Sequence, residues 1–186
     1  MKKAGMIIAV AGLLFSSRLM AQEKFYTKSG KISFFSATSI ENIDAVNKSV
    51  ICLLNSKTGD LQFAVLLKGF EFKKALMQEH FNSDYVESDQ YPKSEFKGQI
   101  TNNATVLYTT NGTYPVNVKG KLTLHGITKD VETTGTLVIK DGKVIANSAF
   151  SLLLADYHVT IPKLYSDNIS KSIKINVDCT LDPLKP

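Results

Sequence analysis

The sequence has no tryptophan, two cysteines and five prolines among 186 residues. Two cysteines exclude a disulfide-dense scaffold, which needs several bridges to replace a hydrophobic core. Five prolines and 11 glycines are too few for a collagen-like or low-complexity chain. Charge of one sign is scarce too: 22 Lys and Arg face 17 Asp and Glu, with no block of like charge. Hydrophobic residues at 44% supply material for a core, which excludes a disordered chain. There is no Gly-x-Ser-x-Gly elbow and no phosphate-cradling glycine loop. The three histidines, His80, His125 and His158, lack the local His-x-x-x-His or Cys-x-x-Cys partners that announce a metal site. Asp156 lies near His158, but no serine or cysteine is marked as a nucleophile. The expectation is no catalytic residue, no metal and no cofactor.

Long hydrophobic runs are missing except at the N-terminus. Lys2 and Lys3 precede an apolar run of twelve residues from Ala4 to Phe15, and Ala21 offers a small residue before a cut ahead of Gln22. That layout predicts a secretory signal peptide over residues 1–21 and one domain over residues 22–186. A spanning helix needs roughly 20 apolar residues, so no stable membrane anchor is expected. Losing Lys2, Lys3 and Arg18 leaves 19 basic residues against 17 acidic ones. The basic balance is thus mostly a property of the leader and gives no nucleic-acid footprint. The expected location is the bacterial periplasm or the outside of the cell.

What the chain does have is a period of two. Val116, Val118, Gly120, Leu122 and Leu124 alternate with Pro115, Asn117, Lys119, Lys121 and Thr123. Residues 130–140 and 172–181 alternate in the same way. Successive side chains of a strand point to opposite faces, so these runs are half-buried strands of an antiparallel sheet. Turn residues separate them: Ser29-Gly30, Lys57-Thr58-Gly59-Asp60, Asn111-Gly112, His125-Gly126 and Asp141-Gly142. About eight useful strands result. One segment departs from the rhythm. Over residues 72–81 the pairs Phe72/Leu76 and Met77/Phe81 are four apart, which predicts an amphipathic helix or helical lid. Residues 39–45 are read as a short helical turn.

Eight long antiparallel strands must hide their edges. A closed barrel does so, and a two-sheet sandwich is the alternative. Gly120 and Gly135 lie on the apolar side of their strands, where they either relieve curvature or leave space. Cys52 and Cys179 fall in early and late strands and are read as buried free thiols, with a bond between them as the alternative. Large apolar side chains collect on the inward faces and the helix, among them Phe34, Phe63, Phe72, Phe81, Phe96, Tyr114 and Phe150. They either fill a core or line a cavity.

Two stretches carry a resemblance. One is Phe72-Lys73-Lys74-Ala75-Leu76-Met77-Gln78-Glu79-His80-Phe81-Asn82, followed by Tyr85, Glu87-Ser88, Tyr91-Pro92 and Phe96. The other is Gly120-Lys121-Leu122-Thr123-Leu124-His125-Gly126-Ile127-Thr128-Lys129. In order and spacing they resemble the YceI-like family, exported bacterial proteins with a lipocalin-like barrel that bind polyisoprenoids and other amphiphiles. A weaker likeness over residues 156–162 lacks the family's arginine and glycine, so no head-group contact is carried over from it. The resemblance implies an all-β fold: an antiparallel, roughly eight-stranded lipocalin-like β-barrel with a short amphipathic helix capping one end. It implies a partner that is a long-chain isoprenoid or other amphiphilic lipid. A homodimer is a further option.

On that reading the cavity lining is Phe34, Phe63, Phe72, Leu76, Met77 and Phe81 from the first half of the chain. Phe96, Tyr114, Val118, Leu122, Phe150 and Leu152 complete it. Tyr85, His158 and Lys163 are candidates for a polar head at the mouth. Two rivals stand beside carriage. An enzyme acting on a lipid or quinone-like substrate needs titratable groups converging on the cavity. A structural or partner-binding barrel needs a filled core.

Overall fold

The computed structural model describes residues 23–184, so the predicted leader lies outside the described residues. The period-two runs form β1 (Lys24–Ala37), β2 (Asn42–Asn55), β3 (Asp60–Leu66), β4 (Glu71–Phe72) and β5 (Lys93–Ile100). They continue as β6 (Gly112–Leu124), β7 (Ile127–Lys140), β8 (Lys143–Leu153) and β9 (Ser172–Pro183). Among the described residues one α-helix, α1 (Ala75–His80), lies between β4 and β5. The eight long strands run in the order β1-β9-β8-β7-β6-β5-β3-β2, and pairing of β1 with β2 closes the barrel. Every pairing is antiparallel. The two-residue β4 extends the wall where β3 has left β2. Closure removes the exposed edges that an open sheet would present. This is the all-β barrel expected, not the sandwich.

Two hairpins form where the sequence placed them. His125 and Gly126 have φ of 51° and 74°, and Asp141 and Gly142 have 51° and 76°. Positive φ at both central residues is the twist-matched geometry of a two-residue hairpin. At Gly126 a Cβ would also stand 2.7 Å from the Tyr91 ring, so this turn needs glycine twice over.

Three local readings are corrected. Ser29-Gly30 does not divide two strands; it is a bulge within the continuous β1, with register shifts after Thr27 and at Gly30. A Cβ at Gly30 would meet the Cys179 thiol at 2.5 Å, so the glycine makes room for that thiol where the strand bends. Residues 39–45 are not helical. The Thr38 hydroxyl accepts hydrogen bonds from the N–H groups of Ile40 and Glu41 at 3.2 and 3.1 Å, closing a turn before β2 begins at Asn42. That side chain captures the N–H groups a helix would have used. The helix of residues 72–81 starts only at Ala75, because Lys74 is extended. Phe72 lies in β4, where its N–H donates to the Gln78 side-chain oxygen at 3.2 Å. Beyond His80 the chain runs on as a π-helical turn, Phe81–Tyr85.

The interior divides along the barrel axis. One half is solid. Phe25, Cys52, Leu54, Leu61, Ile100, Leu137, Ile139, Val144, Cys179 and Leu181 form a continuous buried cluster there. Phe25 stacks on Tyr108 at 5.9 Å. Cys52 and Cys179 are free and buried. The other half lies towards α1, where a second cluster gathers around Phe70. Gly120 is a point of close approach: a Cβ there would stand 2.6 Å from both the Lys97 carbonyl and the Phe96 ring. That ring covers Gly120 and its cross-strand partner Gly98. Gly135 is crowded by the Asn147 carbonyl at 2.5 Å, yet also borders open space inside the barrel.

Candidate functional site

Alternation puts one face of every long strand inside, and the half of the barrel under α1 is not filled. It holds a cavity of about 460 Å³, within the few hundred to a thousand Å³ typical of small-molecule pockets. Its floor is the top of the solid half, at Leu61, Ile100, Val116 and Leu137. Its roof is an aromatic cluster. Phe34 stands 5.3 Å from Phe70, 5.6 Å from Phe72 and 5.5 Å from Phe81, ring centre to ring centre. The helix adds Leu76 and Met77.

Of the predicted lining, Phe34, Phe63, Phe72, Leu76, Met77, Phe81, Phe96, Val118, Leu122, Phe150 and Leu152 all border this space. Tyr114 does not. It is an inward position of β6, but at the solid end, where it packs on the buried cluster and its hydroxyl donates to the Thr110 carbonyl at 3.0 Å. Of the predicted head contacts only Tyr85 reaches the cavity. His158 has left-handed backbone, φ 55°, and is turned to solvent by the 3-10 turn Leu154–Tyr157 before it. Lys163 is exposed in the turn Lys163–Tyr165, which presents Tyr165 to the cavity instead.

The polar groups at the mouth come from distant stretches of chain. Lys74 at the start of α1 pairs with Glu41 at 2.8 Å, and Asn168 donates to the same carboxylate at 3.5 Å. Hydrogen bonding from Lys74 holds the Glu41 carboxyl below its ordinary value. His80 meets Asp84 at 2.7 Å. Hydrogen bonds from Ser83 and then His80 lower the Asp84 carboxyl. Burial, followed by the charge of Asp84, raises the Tyr85 hydroxyl. Sequence reasoning missed Glu41, Lys74, Tyr165 and Asn168, because no local motif joins them. Phe70 and Ile32 were missed as well, although inward alternation from Phe34 reaches Ile32 two residues before it.

His125 sits outside the cavity lining. One ring nitrogen contacts the Tyr157 carbonyl at 3.1 Å and the other the Glu87 carboxylate at 3.3 Å, while Tyr91 packs edge-on at 4.7 Å. These contacts tie the β6–β7 hairpin to two loops. Among the described residues no group of three or more His, Cys, Asp or Glu is placed to hold a metal ion. The arrangement offers an apolar space with a polar rim, suited to holding a hydrocarbon chain by burial.

A YceI-like domain model matches residues 15–181. Comparison with curated protein sequences gives no match. Among solved structures, the chain is similar to a polyisoprenoid binding domain from Saccharophagus degradans implicated in plant cell wall breakdown. That likeness has a TM-score of 0.76 and 13% identity over 88% of this chain and 99% of that one. It is also similar to BcnA of Burkholderia cenocepacia, with a TM-score of 0.66 and 16% identity over 82% of this chain and 95% of that one. A third likeness, to the YCEI protein of Campylobacter jejuni, has a TM-score of 0.54 and 11% identity over 100% of both chains. The match of sequence model and barrel together places this chain in the YceI-like domain family.

Proposed function

We propose that this protein carries or sequesters a long-chain amphiphile in the bacterial periplasm: a polyisoprenoid, an isoprenoid quinone or a fatty-acid-like lipid. The observation that carries this reading is the unfilled apolar half-barrel beneath the aromatic roof. A filled-core scaffold has no use for such a space. The polyisoprenoid-binding neighbour from Saccharophagus degradans supports the same ligand class. Of the three histidines, His125 and His158 stand outside the lining, and His80, which borders it, is engaged by Asp84 at 2.7 Å. Burial alone supplies the binding energy. At roughly 25 cal/mol per Å², a tail burying about 400 Å² contributes on the order of 10 kcal/mol before the costs of association.

The test is recovery of the ligand. Protein purified without detergent is extracted with organic solvent, and the extract is examined by mass spectrometry. A stoichiometric long-chain lipid is expected. Protein that is repeatedly empty, and takes up neither isoprenoid nor fatty-acid probes, removes the reading. Export is tested separately, by fractionating cells that express the full chain.

A further inference from the structure

Resting on the lipid-carrier reading, we propose that the chain reaches the cavity sideways, through a slot in the wall between β7 and β8. The ladder between these strands runs from Lys140–Lys143 to Gly135–Ser148 and stops. Beyond that fork β7 stays paired with β6 as far as Ile127, and β8 with β9 as far as Leu153. The two strands therefore part from each other while each keeps its other neighbour. The fork lies where the solid half of the barrel ends and the cavity begins. Val131 and Thr133 on one lip, with Phe150 and Leu152 on the other, border the cavity.

Side chains shape both ends of the slot. At the fork the Ser148 hydroxyl donates to the Thr134 carbonyl at 2.7 Å, taking the place of a ladder bond. At the far end the Tyr157 carbonyl meets His125 across the gap, forming a sill. Outside the fork is a shallow depression that shares Gly135, Thr136, Asn147, Ser148 and Val177 with the cavity. Its outer wall adds hydroxyl and amide groups from Ser33, Thr134 and Asn176. Its charged residues, Lys31 and Asp178, neutralise each other at 2.8 Å. That chemistry fits an amphiphile with an uncharged hydrogen-bonding end, a hydroxyl or carbonyl. Among the residues that line the depression, the one cation offered to a phosphate is already paired.

The axial routes are worse. The solid core closes one end. The other end is the mouth, which the aromatic roof narrows and the Lys74–Glu41 pair spans. Between the fork and the turn Leu154–Tyr157, which packs on β7, no strand ladder closes the wall.

The experiment bridges the slot. Glu132 and Ser151 are exposed residues on opposite lips. The variant Glu132→Cys/Ser151→Cys is joined with a bismaleimide that contains a reducible disulfide. Cys52 and Cys179 are fully buried, which confines the reaction to the new thiols. Lys140→Cys/Lys143→Cys, on the paired part of the same hairpin, is bridged as control. Loading and release of a pyrene-labelled long-chain alcohol are followed by stopped flow. The slot bridge is expected to slow both at least tenfold, with wild-type rates returning on reduction and the control unchanged. Bridged protein that loads at the unbridged rate, or a slowing that reduction fails to reverse, overturns the slot. The phosphate monoester of the same probe is expected to bind at least tenfold more weakly, and equal binding overturns the uncharged-end assignment. If unbridged protein takes up no lipid probe at all, the carrier reading itself falls.

Discussion

Phe70 shows how a residue outside any obvious motif comes to organise the site. Its ring lies 5.3 Å from Phe34 and 5.6 Å from Phe81, and it is buried, 6% exposed. Truncating a buried phenylalanine costs about 3–5 kcal/mol. Phe70→Ala is expected to lose that much in a denaturant titration, since the roof then rests on Phe34, Phe72 and Phe81 alone. Glu41 gives a pH-dependent counterpart. Its carboxyl is held below the ordinary 4.5, so the Lys74–Glu41 pair stabilises the protein above that pH. The contribution disappears as pH falls through the lowered value. Melting temperatures of wild type and Glu41→Gln are expected to differ slightly at pH 7 and to converge in acid. The gap is small because ion pairs at a surface are worth little.

At the scale of elements, the long strands were legible and their irregularities were not. Alternation marks β6, β7 and β9 plainly, since a period of two has one structural meaning. The bulge at Gly30 carries the same local residues as a turn. Only its neighbours decide, because Cys179 must fit beside it. The turn before β2 was misread as helical because apolar spacing said nothing about the Thr38 hydroxyl. Gly120 was undecided between space and curvature, and contact distances resolve it. Gly120→Val places side-chain atoms against the Lys97 carbonyl and the Phe96 ring. A loss of about 1–3 kcal/mol from overpacking is expected, read as a lower denaturant midpoint. An unchanged midpoint contradicts the close approach of β5 and β6.

The whole molecule is a barrel solid at one end and hollow at the other, and each half makes its own prediction. In the solid half, burial raises the Cys179 thiol to about 11 and the Cys52 thiol well above its ordinary 9.0. Both thiols are expected to resist alkylation at pH 8 in the native state and to react together on unfolding. Prompt labelling without denaturant removes that picture. In the hollow half, Met77→Glu sets a carboxylate against an apolar space, where an unpaired charge is costly. Lipid uptake is expected to fall at least tenfold, with circular dichroism unchanged because Met77 is only half-buried in the wall of the mouth.

The sequence by itself determined the strands, their inward faces and the family likeness, because periodicity and turn chemistry are local. It therefore placed Phe34, Phe63, Phe96, Leu122 and Phe150 correctly on an inward face. Tertiary structure alone decided which half of that face is packed and which is open. Tyr114 and Leu122 share one strand and one face, yet one packs in the solid half and the other borders the cavity. It also decided the mouth, where Glu41, Lys74 and Asn168 meet from three separate stretches of chain. The physical reason is that alternation tells a side chain which side of the wall to occupy. How much room lies behind that wall depends on closure, and closure joins β1 to both β2 and the last strand.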